Sequence, residues 1–434
     1  MTLRGADSLD KSRKGCRIYN TLLDKDLAIA QKRELALRFD LAGESWLAET
    51  LVERFNTAID AYEAERGIQR VKPGELFVRF RGQEVTLPLL THAMAKQLAE
   101  EKRYLWHRKR VEVTLLDHLR QVDSTATLED VRRFVNRRLL VPRCSDGGCL
   151  DARLPDNARL IDPGKVNANR IRQPKPGDIP VPPSVCRALL EFLTGEADLG
   201  AARAKAMLDF LAAQREAFCP LRRDLEPGQA VWLAYSVKKY KQPGLQFARR
   251  ILLPVVLTVF TEAEYNQSVT GLKELNTLQM EQMARVCTEA YLQGALMATV
   301  ELELLYHRNF SIVDDLLRFY MQTNQVILPT PGTILDAGTA MTHKRIIIAL
   351  SVQGHFTKEI ARLTYHTPEA VDAYLKVFQA VMVLYLYDLP VPLMARVTGR
   401  GQALIREHLE IVREHFPDRD AVRGYLREQG LEIL

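Results

Sequence analysis

The chain lacks the short motifs that mark an active site. It has no glycine-rich phosphate loop, no nucleophile elbow and no metal-binding helix motif. No residue is thereby named for catalysis, and the expectation is a protein that is not an enzyme and needs no cofactor. Long apolar runs are also missing. Ile251–Phe260 is the nearest to one, but it is far too short for a membrane span and contains Pro254. The opening residues, MTLRGADSLDKSRKG, lack the apolar core of a secretory signal. The six cysteines, at 16, 144, 149, 186, 219 and 287, are scattered, as expected for reduced thiols in a cytoplasm. Cys144 and Cys149 bracket a glycine turn, but no second nearby pair completes four zinc ligands. His343, His355 and His366 have no acidic or thiol partners at ligand spacing and read as core or turn histidines. The expectation is a soluble cytoplasmic protein with no membrane partner.

What is present is ordinary in bulk and uneven in charge. A 47% hydrophobic and 26% charged composition fits a globular chain, and 434 residues allow several domains with cores of their own. Net charge is +6, yet residues from Ile251 onward carry 16 Lys/Arg against 21 Asp/Glu, which leaves +11 on the first 250. Basic clusters lie at Lys102-Arg103, Arg108-Lys109-Arg110, Arg132-Arg133, Arg137-Arg138, Lys238-Lys239-Lys241 and Arg249-Arg250. Any one cluster also reads as a solvated helix face. Together they point to a polyanionic partner, with Arg108, Lys109, Arg110, Arg132, Arg133, Arg137, Arg138, Lys238, Lys239 and Lys241 as candidate contacts to a DNA backbone.

Two stretches echo each other. Lys72-Pro73-Gly74-Glu75 precedes a strand-like run and then Thr86–Thr91, while Glu226-Pro227-Gly228-Gln229 precedes Ala230–Tyr235 and then Ile251–Thr258. Helical segments follow, leading to Ala126-Thr127-Leu128-Glu129 and Ala298-Thr299-Val300-Glu301, then to Leu140-Val141-Pro142 and Ile327-Leu328-Pro329. The pattern reads as a diverged internal duplication, with chance recurrence of Pro-Gly turns as the alternative. The division expected is a basic α+β domain over 1–143, a Pro/Gly-rich linker over 144–185, an α+β domain over 186–277, a winged-helix-like domain over 278–333 and tandem helix-turn-helix units over 334–434. The fold class expected is mainly α with small β elements.

Three helix-turn-helix candidates run in series. The first places a helix over Gln279–Gly294, a second capped by Thr299 and running through Tyr306, and a third over Ser311–Met321, with Gln325–Gly332 as a short wing strand. Asp314 and Asp315 on its last helix, and Glu303 at the helix crossing, suit packing or dimerisation better than phosphate contact. The second is the most informative stretch. Lys344–Gln353 is its supporting helix, Thr357 is a candidate cap, and Thr367-Pro368-Glu369 restarts the chain. Ile360, Ala361, Thr364, Val371, Tyr374, Leu375 and Phe378 face inward, leaving Thr367, Glu369, Asp372, Ala373 and Lys376 outward. The third repeats that spacing with Met394, Ala395, Thr398, Ile405 and His408, and puts Gly399 in the turn. Arg396, Arg400, Gln402 and Arg406 become its DNA-facing groups, joined by Thr367 and Lys376 from the second.

Phrases from about Cys186 to His415 resemble the prokaryotic family grouped as domain of unknown function 1670. They are Leu225–Gln229, Leu252–Thr258, Glu289–Gly294, Leu328–Gly332, Thr342–Lys344 with Ile346-Ile347, Glu359–Arg362, and His366–Val371 with Tyr374 and Phe378. The resemblance implies a helix-turn-helix protein without an assigned reaction. Pro331 stands where the family tends to have arginine, and no basic residue lies near Ala373; both departures remove positive charge from surfaces that would meet phosphate. The leading expectation is a protein binding double-stranded DNA, as a transcriptional regulator or as the recognition part of a mobile-element or defence system. Its rival is a protein-interaction scaffold, with protein partners or a homo-oligomer, whose units do not touch DNA.

Overall fold

The computed structural model describes residues 19, 21–41, 43–101, 104–135, 174–177, 179–237, 251–269, 271–324, 326–334 and 341–431, with the backbone alone at 101, 104–108, 135 and 341–343. It is mainly helical with a small antiparallel sheet, in two units, Met1–Leu317 and Arg318–Leu434.

In the first unit, α1 (Leu27–Phe39) and α2 (Ser45–Glu65) lead to the strands β1 (Glu75–Phe80) and β2 (Gln83–Pro88). The helices α3 (His92–Glu101), α4 (Tyr104–Val122) and α5 (Leu128–Val135) follow. The order then recurs. Helices α6 (Pro183–Glu191) and α7 (Ala201–Phe218) lead to β3 (Gln229–Ser236) and β4 (Leu252–Thr258). Next come α8 (Glu262–Asn266), α9 (Leu272–Leu292), a two-residue β5 (Ala295–Leu296), α10 (Thr299–Tyr306) and α11 (Phe310–Asn324), within which the first unit ends. Apolar residues at helical spacing on α2, namely Leu47, Leu51, Val52, Phe55 and Ile59, build one core with Val185, Leu189, Leu208 and Leu211 of α6 and α7.

The sheet runs β2-β1-β3-β4, with β5 paired to the end of β3. At its centre Leu76 pairs with Ala230, and the flanking bonds are reciprocal. The Gly74 N–H donates to Val231 O (2.8 Å), and the Gly228 N–H donates to Phe77 O (2.7 Å). Both glycines have positive φ, +87° and +96°, and a Cβ on either would overlap a carbonyl oxygen, of Leu90 or Phe260. The Glu75 carboxylate accepts from the Lys72 N–H (2.7 Å), as the Gln229 carboxamide accepts from the Glu226 N–H (2.9 Å).

The outer edge of β4 is closed by side chains of α9 and of Gln293, the residue that follows it. Gln293 accepts from the Val256 N–H (3.0 Å) and donates to Val256 O (2.7 Å). Glu289 accepts from the Thr258 N–H (2.6 Å), and Arg285 donates to Thr258 O (3.0 Å). Pro254 contributes no N–H at all.

Polar and charged groups also tie Tyr19 and Lys25 into this core. The Lys25 ammonium donates to Glu301 and to Leu233 O (2.6 Å), 4.6 Å from the Tyr235 ring centre. The Trp232 indole N–H shares the Glu301 carboxylate (2.7 Å). Burial pushes the Lys25 pKa down, against the pull of Glu301. The Tyr19 hydroxyl donates to Glu303 Oε2 (3.1 Å), and the Phe310 N–H at the start of α11 donates to the same carboxylate. Burial raises the Glu303 pKa to about 7.

The wing expected over Gln325–Gly332 does not form. Residues 326–330 are not a strand, and Pro331–Ile334 is one helical turn. Ile327 and Leu328 are buried as the apolar spacing suggests, and the Leu328 carbonyl is taken by the Thr333 hydroxyl (2.6 Å). The helix expected to begin at Gln279 begins at Leu272. Thr299, expected to cap the next helix, is its first residue, and Ala298 holds the capping position.

The second unit holds α12 (Met341–Val352), α13 (Thr357–Leu363), α14 (Pro368–Leu386), α15 (Val391–Thr398), α16 (Gln402–His415) and α17 (Arg419–Glu428). Ile348, Phe378, Met382, Ile411, Val412 and Leu426 form one core, and Val381, Met394, Ile405 and Leu409 form another along α14.

Candidate nucleic-acid interface

The second unit contains two pairs of helices joined by short turns. In the first, α13 ends at Leu363 and α14 starts at Pro368. The chain turns through Tyr365, whose φ is +57°, and the Thr364 hydroxyl returns to Ile360 O (2.7 Å). The Thr367 hydroxyl accepts from the Ala370 N–H (3.2 Å), so α14 is capped as the sequence predicts. Thr357 is different. Its hydroxyl donates to Asp372 of α14 (3.0 Å), and the capping position belongs to Phe356, which is 81% exposed. Ile360, Ala361, Thr364, Val371, Leu375 and Phe378 are buried, and Tyr374 is half-buried. Thr367, Glu369, Asp372, Ala373 and Lys376 are exposed.

In the second pair, Gly399 ends α15 with φ +66°, and the Arg400 N–H closes the turn on Ala395 O (3.1 Å). Met394, Ile405 and His408 are buried, with Ala395 and Thr398 half-buried. Burial pushes the His408 pKa down to about 4, helped by Lys344 nearby. Arg396, Arg400, Gln402 and Arg406 are all exposed. Arg406 donates to Gln402 (3.1 Å), one helical turn away. Among the described residues, none of these three arginines pairs with a carboxylate.

The start of α16 is a feature that side-chain patterns alone did not single out. Gly401 occupies the capping position and offers no side-chain acceptor, so the first N–H groups of this helix are unclaimed by a cap. The signal was present as Gly-Arg-Gly, a phrase with no hydroxyl or carboxylate. By contrast the start of α14 is closed by Thr367 and carries Glu369.

The predicted backbone contacts lie in the first unit. Lys109, Arg110 and Arg133 are exposed, and Arg132 bonds to Glu112 (3.2 Å). The side chain of Arg108, and residues Arg137, Arg138, Lys238, Lys239 and Lys241, lie outside the described residues. His355 departs from the sequence expectation, because an acidic partner lies four residues on. His355 meets Glu359 (3.0 Å), and His366 Nδ1 lies 2.5 Å from Thr364 O. No group of three or more metal-ligating side chains occurs among the described residues. Likewise, among them no helix is long and apolar enough to cross a membrane.

Residues 202–411 match the family described as Protein of unknown function (DUF1670). The DUF1670 segment starts inside α7 and ends inside α16, so it takes in β3, β4 and both turn-linked helix pairs. It leaves out α1–α6, the first strand pair and α17. No curated protein and no solved structure matches the chain.

Proposed function

We propose that this protein binds double-stranded DNA through tandem helix-turn-helix units, with the α15–α16 pair entering a groove. It would act as a transcriptional regulator or as the recognition component of a mobile-element or defence system. One observation carries the reading. Exposed Arg396, Arg400, Arg406 and Gln402 surround a helix start whose N–H groups have no side-chain cap. Helix starts favour phosphate through their free donors and dipole, and arginine and glutamine pair with base edges. Thr367 and Lys376 of the α13–α14 pair would add polar contacts. The exposed Lys109, Arg110 and Arg133 would hold the backbone elsewhere.

Fluorescence anisotropy with labelled duplex DNA over a range of salt tests this. Neutralising about three to four phosphates gives a log–log slope near −3, so doubling the salt weakens binding about eightfold. Arg400→Glu with Arg406→Glu should abolish binding while the helical circular dichroism stays unchanged. Salt-independent affinity, or full binding by the double variant, would refute the proposal.

The rival scaffold reading draws on the other helix pair. Glu369 and the strongly exposed Phe356 suit a protein surface better than a phosphate backbone. Under that reading the double reversal leaves all macromolecular binding intact. We further propose that the first unit arose by internal duplication. The reciprocal bonds of Gly74 and Gly228, and the matched Glu75 and Gln229 acceptors, support it.

A further inference from the structure

Two exposed apolar side chains of the second unit lie side by side. Phe356, Tyr387, Leu393, Val397 and Leu431 are the large apolar groups exposed among its described residues. A single exposed apolar residue is ordinary, but Leu393 (44%) and Val397 (60%) stand one turn apart on α15 and form a patch. The opposite side of the same helix is already used. Met394 is buried there, and Val391 and Ala395 pack against the cluster of Val381, Ile405 and Leu409. At helical spacing Leu393, Arg396 and Val397 share one outward arc of about 100°.

Charge on this face has one sign. Between Leu389 and Arg406 the chain has no carboxylate and three arginines, Arg396, Arg400 and Arg406. Arg396 lies beside Leu393 and Val397 on the arc, and Arg400 follows at the turn that ends α15. Both are exposed.

These two features select the occupant. A phosphate backbone would use the arginines and leave Leu393 and Val397 in water. A second copy of the chain fits poorly, because a two-fold pairing of α15 with itself sets Arg396 against its own image. Two apolar side chains per copy also fall short of a permanent interface. A helix with apolar residues on one face and carboxylates beside them meets both needs, since it covers the apolar pair and supplies the counter-charges.

We propose that the outward face of α15 docks an acidic amphipathic helix of a protein partner. Leu393 and Val397 lie under its apolar residues, and Arg396 and Arg400 hold its carboxylates at the rim. This goes beyond the DNA recognition proposed above and does not depend on it, because the apolar pair has no part in that reading.

The test uses the full chain without DNA. The probe is a fluorescein-labelled helical peptide of alanine, leucine and glutamate, about four turns long, with leucines at i, i+3, i+4 and i+7. Its anisotropy should rise saturably at micromolar protein. The same peptide with serine for leucine should bind at least about tenfold more weakly, and the version with lysine for glutamate should not bind. Leu393→Ser with Val397→Ser should weaken the acidic peptide at least about tenfold, as should Arg396→Glu, while Phe356→Ser leaves it unchanged. Leu393 and Val397 are exposed, so the serine pair should keep the helical circular dichroism. Absence of saturation up to about 100 μM protein overturns the proposal. So does unchanged affinity in the serine pair, or an equal loss in Phe356→Ser, which would place the peptide at the start of α13. Self-association of the free chain that the serine pair abolishes would assign the patch to a second copy and overturn it as well.

Discussion

Replacing Glu303 by glutamine should make the first unit more stable, and only above acidic pH. The Glu303 pKa is raised by burial from 4.5 to about 7, so the folded state holds this proton more tightly than the unfolded chain does. Its stabilising contribution is complete below pH 4.5 and is lost as pH rises to about 7. Carried above pH 7, that shift corresponds to about 3 kcal/mol of destabilisation by the ionised carboxylate. Glutamine keeps an oxygen for the Tyr19 hydroxyl (3.1 Å away) and the Phe310 N–H but exchanges charge-assisted bonds for neutral ones. The pKa of about 7 already contains the effect of both hydrogen bonds, so the neutral glutamine should gain up to about 3 kcal/mol at pH 8. Urea unfolding followed by tryptophan fluorescence isolates the effect, because Trp46, Trp106 and Trp232 all belong to the first unit. The difference between wild type and Glu303→Gln should shrink toward zero at pH 4.5. A gap that is constant with pH, or a loss of stability at pH 8, would refute the reasoning.

Three other outcomes follow from the same structure. Lys25→Met leaves the Glu301 carboxylate buried without its cation and should cost about 3–5 kcal/mol in urea unfolding, most of it recovered in the Lys25→Met/Glu301→Gln pair. Gly228→Ala should cost at least about 2 kcal/mol, because its Cβ meets the Phe260 carbonyl, whereas Gly82→Ala, with positive φ but open space, should cost only about 1 kcal/mol by thermal unfolding. Gly401→Asp supplies the missing cap and should stabilise the second unit by a few tenths of a kcal/mol, yet weaken DNA binding by placing a carboxylate at the helix start; stronger DNA binding would count against the proposed groove contact.

What could be read from the sequence was local. Thr367-Pro368 caps α14 as expected because every partner lies within three residues. The inward residues of both helix pairs follow from helical spacing, and the Pro-Gly phrases announce both strand pairs. The errors come from partners distant in sequence. Thr357 stands where local spacing calls for a cap, but Asp372 takes its hydroxyl after α14 folds back. The apolar-Pro phrase at Ile327 correctly suggested burial. It suggested a strand wrongly, because burial spacing does not supply a neighbouring strand to pair with. The ion pairs of Arg215 on α7 with Asp60 and Glu63 on α2 join helices that no spacing rule links.

The closure of β4 limits how copies of this protein can meet. An open terminal strand is a template on which a second chain can add its own, the first step toward fibrils or uncontrolled polymers. Here arginine and glutamate from one helix, and the glutamine that follows it, occupy the positions an incoming backbone would need, and a proline removes one donor outright. Gln293→Ala would uncover both polar groups of Val256 and turn that protected margin into a docking rail.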